Sequence, residues 1–225
     1  FYINHRQFVE QSLTTLPEDP LPRLALARTA LINEDLLTAE AELKRVLARD
    51  PVPMEAHARW GRLLFDQQRL SELRAWQQAL PVEADAHPEI WITRGLYALQ
   101  QRQESAAIRC FGTAALLDPN HLTAHLYLGR LLPRAGQPEL AREFQQRAEL
   151  LSELLTPLTT FRNNVDPTLV RRVADLCERL GRPREALAWA EWMLRTSAEA
   201  GWAADLVTRF HQQFPEGPVW ILDES

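Results

Sequence analysis

The chain has 225 residues, 46% of them hydrophobic, and a formal net charge of −5. An acidic balance of this kind argues against a general nucleic-acid binder, which would carry a basic stripe. No run of 18 apolar residues occurs, so no segment of this sequence reads as a membrane span. Helix formers dominate and β-branched runs are nearly absent, which predicts an all-α protein. The 8 glycines are few, and most of the 15 prolines fall between helical patterns, where proline belongs.

Residues 1–19 predict one amphipathic capping helix, with Phe1, Phe8, Val9 and Leu13 as its apolar letters, broken by Leu16-Pro17-Glu18-Asp19-Pro20. The opening Phe1-Tyr2-Ile3-Asn4-His5-Arg6 reads either as the interfacial flank of a removed signal or anchor segment or as an ordinary helix start. Compartment therefore stays open between a cytoplasmic and an exported, membrane-anchored protein.

Residues 20–155 hold four units that start at Pro20, Met54, Pro88 and Leu122, each 34 residues after the last. Gly61, Gly95 and Gly129 repeat at that interval, with Ala27 in the same place of the first unit. Ala39, Ala107 and Ala141 form a second register, interrupted by Leu73; Ala114 and Ala148 form a third, and Pro51 and Pro119 a fourth. Glycine in mid-helix costs about 1 kcal/mol relative to alanine, so its recurrence implies that a second helix packs closely there. Each unit is thus a helix–turn–helix that cannot bury its apolar face alone.

The phase then breaks. The second helix of the fourth unit is expected to run to about Leu155, and residues 156–166 read as an insert of 11 residues. Residues 167–196 predict a fifth helix pair, with Val173, Ala174, Ala186, Ala190 and Met193 as packing letters and Leu180-Gly181-Arg182-Pro183 as its turn. Residues 197–225 predict a capping helix to about Gln213 and an extended tail containing Val219-Trp220-Ile221-Leu222.

Chemistry-bearing motifs are sparse. Cys110 and Cys177 lie in different units and form neither a CxxC nor a disulfide framework, so both are expected as free buried thiols. His121 and His125 are four apart on a predicted helix and could bind zinc with Glu89 or Glu153, but they are one or two ligands short, so no metal is expected. No nucleophile motif or phosphate loop is present, and the expectation is a non-enzymatic chain without a cofactor. Trp60 and Trp91 sit at packing registers; Trp220 lies outside any repeat. Lys44 is the only lysine, every other basic residue being arginine.

The 34-residue period with these letters resembles the tetratricopeptide repeat. Trp91, Gly95, Ala107, Phe111, Ala114 and Pro119 match its pattern best. The unit at 122 keeps Leu128, Gly129, Ala141 and Ala148. The unit at 54 keeps Trp60 and Gly61 but has Leu73 and Gln77 where small and aromatic residues are usual. The unit at 20 keeps Leu26, Ala27, Ala39, Leu43 and Pro51.

The resemblance implies a right-handed α-solenoid with helical caps, whose first helices line a concave groove that binds a peptide or partner segment. It places Arg28, Arg62 and Arg130 on the groove side in one 34-residue row, interrupted by Leu96. Arg59, Phe65, Asp66, Thr93, Tyr127 and Arg134 lie nearby, with Arg171 and Arg172 in a similar position of the fifth unit. Arginines with an aromatic or two would suit an acidic, extended peptide through charge-assisted contacts; alternatively the row is a solvated helix face. The family's grip on a C-terminal carboxylate by Lys and Asn is not expected, because those places hold Leu24, Ala58, Ile92 and Leu126, and arginine instead of asparagine. The competing expectations are a subunit or assembly factor of a larger complex, held through its termini and convex face, and a small-molecule pocket beside Arg162 and Asn163. Oligomeric state is left undetermined by the sequence.

Overall fold

The computed structural model describes residues 5–16, 19–160, 166–196 and 201–213. The opening residues 1–4, the connection at Arg162 to Val165 and the tail with Trp220 lie outside the described residues. Among the described residues there is no strand.

Helix α1 spans His5–Thr15. Hairpins then follow: α2 (Pro20–Ile32) with α3 (Leu36–Leu47), α4 (Met54–Asp66) with α5 (Leu70–Ala79), and α6 (Pro88–Gln100) with α7 (Glu104–Leu117). They are succeeded by α8 (Leu122–Leu131), α9 (Pro138–Thr160), α10 (Pro167–Arg179), α11 (Pro183–Thr196) and α12 (Gly201–Gln213). All four unit starts expected from the 34-residue phase are helix starts. The second helices begin at Leu36, Leu70, Glu104 and Pro138, on the same period. Proline opens α2, α6 and α10, where its missing N–H is harmless, and Asp19, Asp35 and Asp166 cap α2, α3 and α10 by accepting from Leu21, Thr38 and Thr168 backbone N–H groups.

One turn joins every helix pair. Glu34, Gln68, Arg102, Gly136 and Gly181 all have positive φ, between 56° and 77°. After each, a backbone N–H bonds the carbonyl five residues earlier: Asp35 to Ala30, Arg69 to Leu64, Gln103 to Ala98, Gln137 to Leu132 and Arg182 to Cys177, at 2.8–2.9 Å. The fifth pair keeps the turn although its start is shifted out of phase.

The chain divides into two compact units after Leu131. In the first unit two core clusters meet at α4, each joining one hairpin to the next. One cluster joins Leu24 and Ala27 of α2, Leu43 and Val46 of α3, and Ala56 and Leu63 of α4. The next joins Ala58 and Leu64 of α4, Leu73 and Trp76 of α5, and Ile90 of α6, with Ala84 from a 3-10 turn at Val82–Ala86. The glycine registers serve this packing. A Cβ on Gly61 would fall 2.2 Å from the Trp76 ring, and one on Gly95 2.7 Å from Phe111. Trp76, one residue ahead of Gln77, thus fills the aromatic place of its unit, and its Nε1–H donates to the His57 carbonyl at 3.0 Å.

In the second unit α9 packs on α10, α10 on α11 and α11 on α12. Ala148, Leu151 and Leu154 of α9 and Val170, Val173, Ala174 and Cys177 of α10 are buried. Arg147 of α9 donates to the Leu180 carbonyl at the α10–α11 turn, 3.0 Å away. Helix α9 runs to Thr160, past the Leu155 end expected from the sequence, and so takes up the first residues of the 156–166 insert.

Candidate concave site on the first helices

The first helices of three successive hairpins share a concavity. Leu31 of α2, Glu55, Ala58, Arg59, Arg62 and Leu63 of α4, and Glu89 of α6 line a pocket of ≈ 150 Å³. Of the residues placed on the groove side by sequence, Arg59 and Arg62 meet here. Arg28 and Arg130 are exposed on α2 and α8. The remaining three arginines, Arg134, Arg171 and Arg172, belong to the second unit.

The arginines differ in how far they are already engaged. Arg59 pairs with Glu55 one turn earlier on α4. Arg62 donates from Nε to both carboxylate oxygens of Asp66, at 3.0 and 2.9 Å. Arg172 pairs with Glu153 of α9 at 2.6 Å. Arg28, Arg130 and Arg171 make no ion pair with another described residue. The apolar and aromatic members serve packing. Leu96 is buried at 7% exposure, Phe65 packs against the second core cluster, and Tyr127 stacks on Phe111 with ring centroids 4.6 Å apart. Leu96, which interrupts the arginine row, is thus part of the core.

Two histidine–carboxylate links cross the seams between hairpins at the edge of this concavity. His87 Nε2–H donates to Glu55 at 3.1 Å, and His121 Nε2–H donates to Glu89 at 3.0 Å. Donors and acceptors are both 34 residues apart, so one link is the repeat of the other. The His87 hydrogen bond, with Arg59 adding to it, holds the Glu55 carboxyl down from its ordinary 4.5 to about 2. The His121 hydrogen bond likewise holds Glu89 below its ordinary value, Arg62 helping and the like charge of Glu55 opposing. Sequence reasoning passed over Glu55 and His87, although identical residues at the repeat interval were the available signal.

The zinc reading of His121 and His125 has a different outcome. His121 precedes α8 and is held by Glu89, whereas His125 is buried and donates to the Pro119 carbonyl at 2.9 Å. Among the described residues no group of three or more His, Cys, Asp or Glu is placed to hold a metal ion. Burial pushes the thiols of Cys110 and Cys177 up, Cys177 being buried and Cys110 half-buried. Trp60 and Trp91 are half-buried rather than core; Arg94 lies 4.5 Å from the Trp91 ring centre while bonding Asp85 at 2.6 Å. Among the described residues the buried tryptophan is Trp76, at 7% exposure. No described helix is long and apolar enough to cross a membrane.

Repeated hairpins joined by one turn, with glycine where the second helix presses on the first, define a helical-repeat scaffold. The chain belongs to the tetratricopeptide repeat family, whose model matches residues 24–88 and 92–152, more than half of its length. No curated protein matches the chain by sequence. Among solved structures, PilF of Pseudomonas aeruginosa is similar over 91% of this chain and 86% of its own, at 15% identity and a TM-score of 0.53. That likeness is one of fold. MamA of AMB-1 is similar over 84% and 97% of the two chains, at 17% identity and a TM-score of 0.45. A thermophilic tetratricopeptide protein of Thermus thermophilus is similar over 92% and 87%, at 20% identity and a TM-score of 0.23. The tetratricopeptide fold is a protein-interaction scaffold, and its members are generally non-enzymatic.

Proposed function

We propose that the chain captures an extended segment of a partner protein along the first helices α2, α4, α6 and α8, without a covalent step. The observation that carries this reading is the shared concavity of α2, α4 and α6, lined by both charged and apolar side chains. Arg28 and Arg130 are the cations offered to acidic residues of the partner, because neither makes an ion pair with another described residue. Arg59 and Arg62 are less available, each being neutralised within α4. Arginine suits this task through its planar, bidentate geometry. The reading is tested by a photo-crosslinking amino acid at position 62, a half-exposed site in the concavity, to trap the bound segment, compared with the same probe in the Arg28→Glu/Arg130→Glu variant. Trapping should fall at least about tenfold, two unlike-charge contacts becoming like-charge ones. Trapping that survives the charge reversal refutes the groove.

A second reading, attachment to a larger complex through the chain's ends, is favoured by one feature. Val9, Thr15 and Leu16 of the α1 end and Leu21, Pro22 and Ala25 of α2 line an open, largely apolar pocket of ≈ 620 Å³, with Leu16 and Leu21 more than half exposed. In that case removal of residues 1–16, and not charge reversal in the groove, abolishes capture.

A further inference from the structure

The concavity of α2, α4 and α6 has a charge balance that the arginine row alone does not reveal. It is lined by the apolar Leu31, Ala58 and Leu63 and by the charged Glu55, Glu89, Arg59 and Arg62. Its cations are occupied. Arg59 bonds one oxygen of Glu55, and Arg62 is turned to Asp66. The second oxygen of Glu55 is taken by His87, and Oε1 of Glu89 by His121. Oε2 of Glu89 has no hydrogen bond or ion pair with another described residue, and the Glu89 side chain is 49% exposed.

The lining carries two carboxylates, Glu55 and Glu89, and two guanidiniums, Arg59 and Arg62; the guanidiniums are paired with Glu55 and Asp66, so Glu89 is the lining carboxylate without an arginine of its own among the described residues. Glu55 and Glu89 repel one another across the pocket. An entering carboxylate would add to that repulsion, and an entering cation would relieve it. The apolar part of the lining suits the methylene stem of a long basic side chain, whose charged head then meets the carboxylate.

We propose that this concavity receives one basic side chain, arginine or lysine, of the bound partner segment. The inference rests on the groove reading above and specifies its chemistry: a basic residue at the centre, with acidic residues directed to Arg28 and Arg130. The receiving atom is Glu89 Oε2, which accepts from the incoming guanidinium or ammonium. Glu55 is already held by Arg59 and His87, and His121 keeps the Glu89 carboxylate in place.

The test titrates Nα-acetyl-L-arginine amide into the full chain and follows backbone amide shifts by NMR. The uncharged, nearly isosteric control is Nα-acetyl-L-citrulline amide. Saturable shifts are expected at Glu55, Ala58 and Glu89 with the arginine probe, and about fivefold weaker binding of the control, as for a half-exposed ion pair. Glu89→Gln retains an oxygen for His121 and should bring the arginine probe down to the level of the control. Equal binding of the two probes to the unaltered chain overturns the proposal without reference to any variant. So does unchanged affinity in Glu89→Gln. The Arg28→Glu/Arg130→Glu variant separates this proposal from the groove reading, since it should leave the arginine titration unaltered. Failure of the probe with partner trapping still sensitive to Arg28 and Arg130 sinks the pocket alone; the converse pair of results sinks the groove alone.

Discussion

Replacing Gly61 by alanine should destabilise the protein, although alanine is the better helix former. The ideal Cβ at this position lies 2.2, 2.5 and 2.6 Å from three atoms of the Trp76 ring. Carbon atoms at rest sit about 3.5–4.0 Å apart, so the indole must move by more than ~1 Å. It has little room, being 7% exposed, and movement stretches its hydrogen bond to the His57 carbonyl. Overpacking of this kind costs about 1–3 kcal/mol and a lost hydrogen bond about 1 more, against a propensity gain of ~1. A net loss of about 1–3 kcal/mol follows. Gly95→Ala should lose less, since its nearest contact is Phe111 Cε1 at 2.7 Å. Gly112 in α7 has nothing within 4 Å, so Gly112→Ala should gain ~0.5–1 kcal/mol. Urea denaturation of the three variants at constant m-value measures the order. A Gly61→Ala protein as stable as Gly112→Ala would refute the packing account of the 34-residue glycine register. Coupling of about 1 kcal/mol or more between Gly61→Ala and Trp76→Leu would tie the effect to that ring.

Three further outcomes are expected. Glu34, Gln68 and Arg102 hold φ between 56° and 59° at the hairpin turns, where L-residues are strained by ~1–2 kcal/mol, so each change to glycine should raise the stability measured by urea denaturation by a net ~0.5–1 kcal/mol; no gain in any of the three would mean the turns are not strained. Glu55 has a depressed carboxyl, so its stabilisation is complete above 4.5 and disappears as pH falls through about 2; the unaltered chain should lose more stability over that window than Glu55→Gln, and parallel curves would remove the His87 link from the account. Cys177, at 1% exposure and with its thiol pushed up by burial, should resist iodoacetamide until the second unit unfolds, and rapid native labelling would contradict its placement.

The array was legible because its rules are steric and repeat. Pro20, Met54, Pro88 and Leu122 could be named as helix starts before any coordinates, since proline stops and small-residue registers survive in the letters. What depended on local geometry was not. The turn was visible at Gly181 but not at Glu34, Gln68 or Arg102, because turn closure imposes positive φ whatever the residue. The aromatic of the second unit was sought at Gln77 and sits at Trp76, as a large ring can fill the Gly61 gap from a neighbouring position on α5. Thr156-Pro157 suggested a break, yet α9 continues to Thr160.

The candidate site shows the limit more sharply. A row of arginines at the repeat interval looks basic when only the cations are counted. Arg62 four residues before Asp66, and Glu55 four before Arg59, already predict intrahelical pairs by spacing alone. The decisive contacts are those between hairpins, Glu55 with His87 and Glu89 with His121, at a separation of 32 residues. Each histidine stands just ahead of the next unit's first helix, so its separation from the glutamate falls slightly short of one repeat. Stacking one hairpin on the next therefore places a carboxylate of one unit beside the histidine that opens the following unit. The same carboxylates line the concavity, so the side chains that join successive repeats also set the charge a partner meets. Substitutions in this row should accordingly be judged on stability and binding together, since Glu55 and Glu89 belong to both.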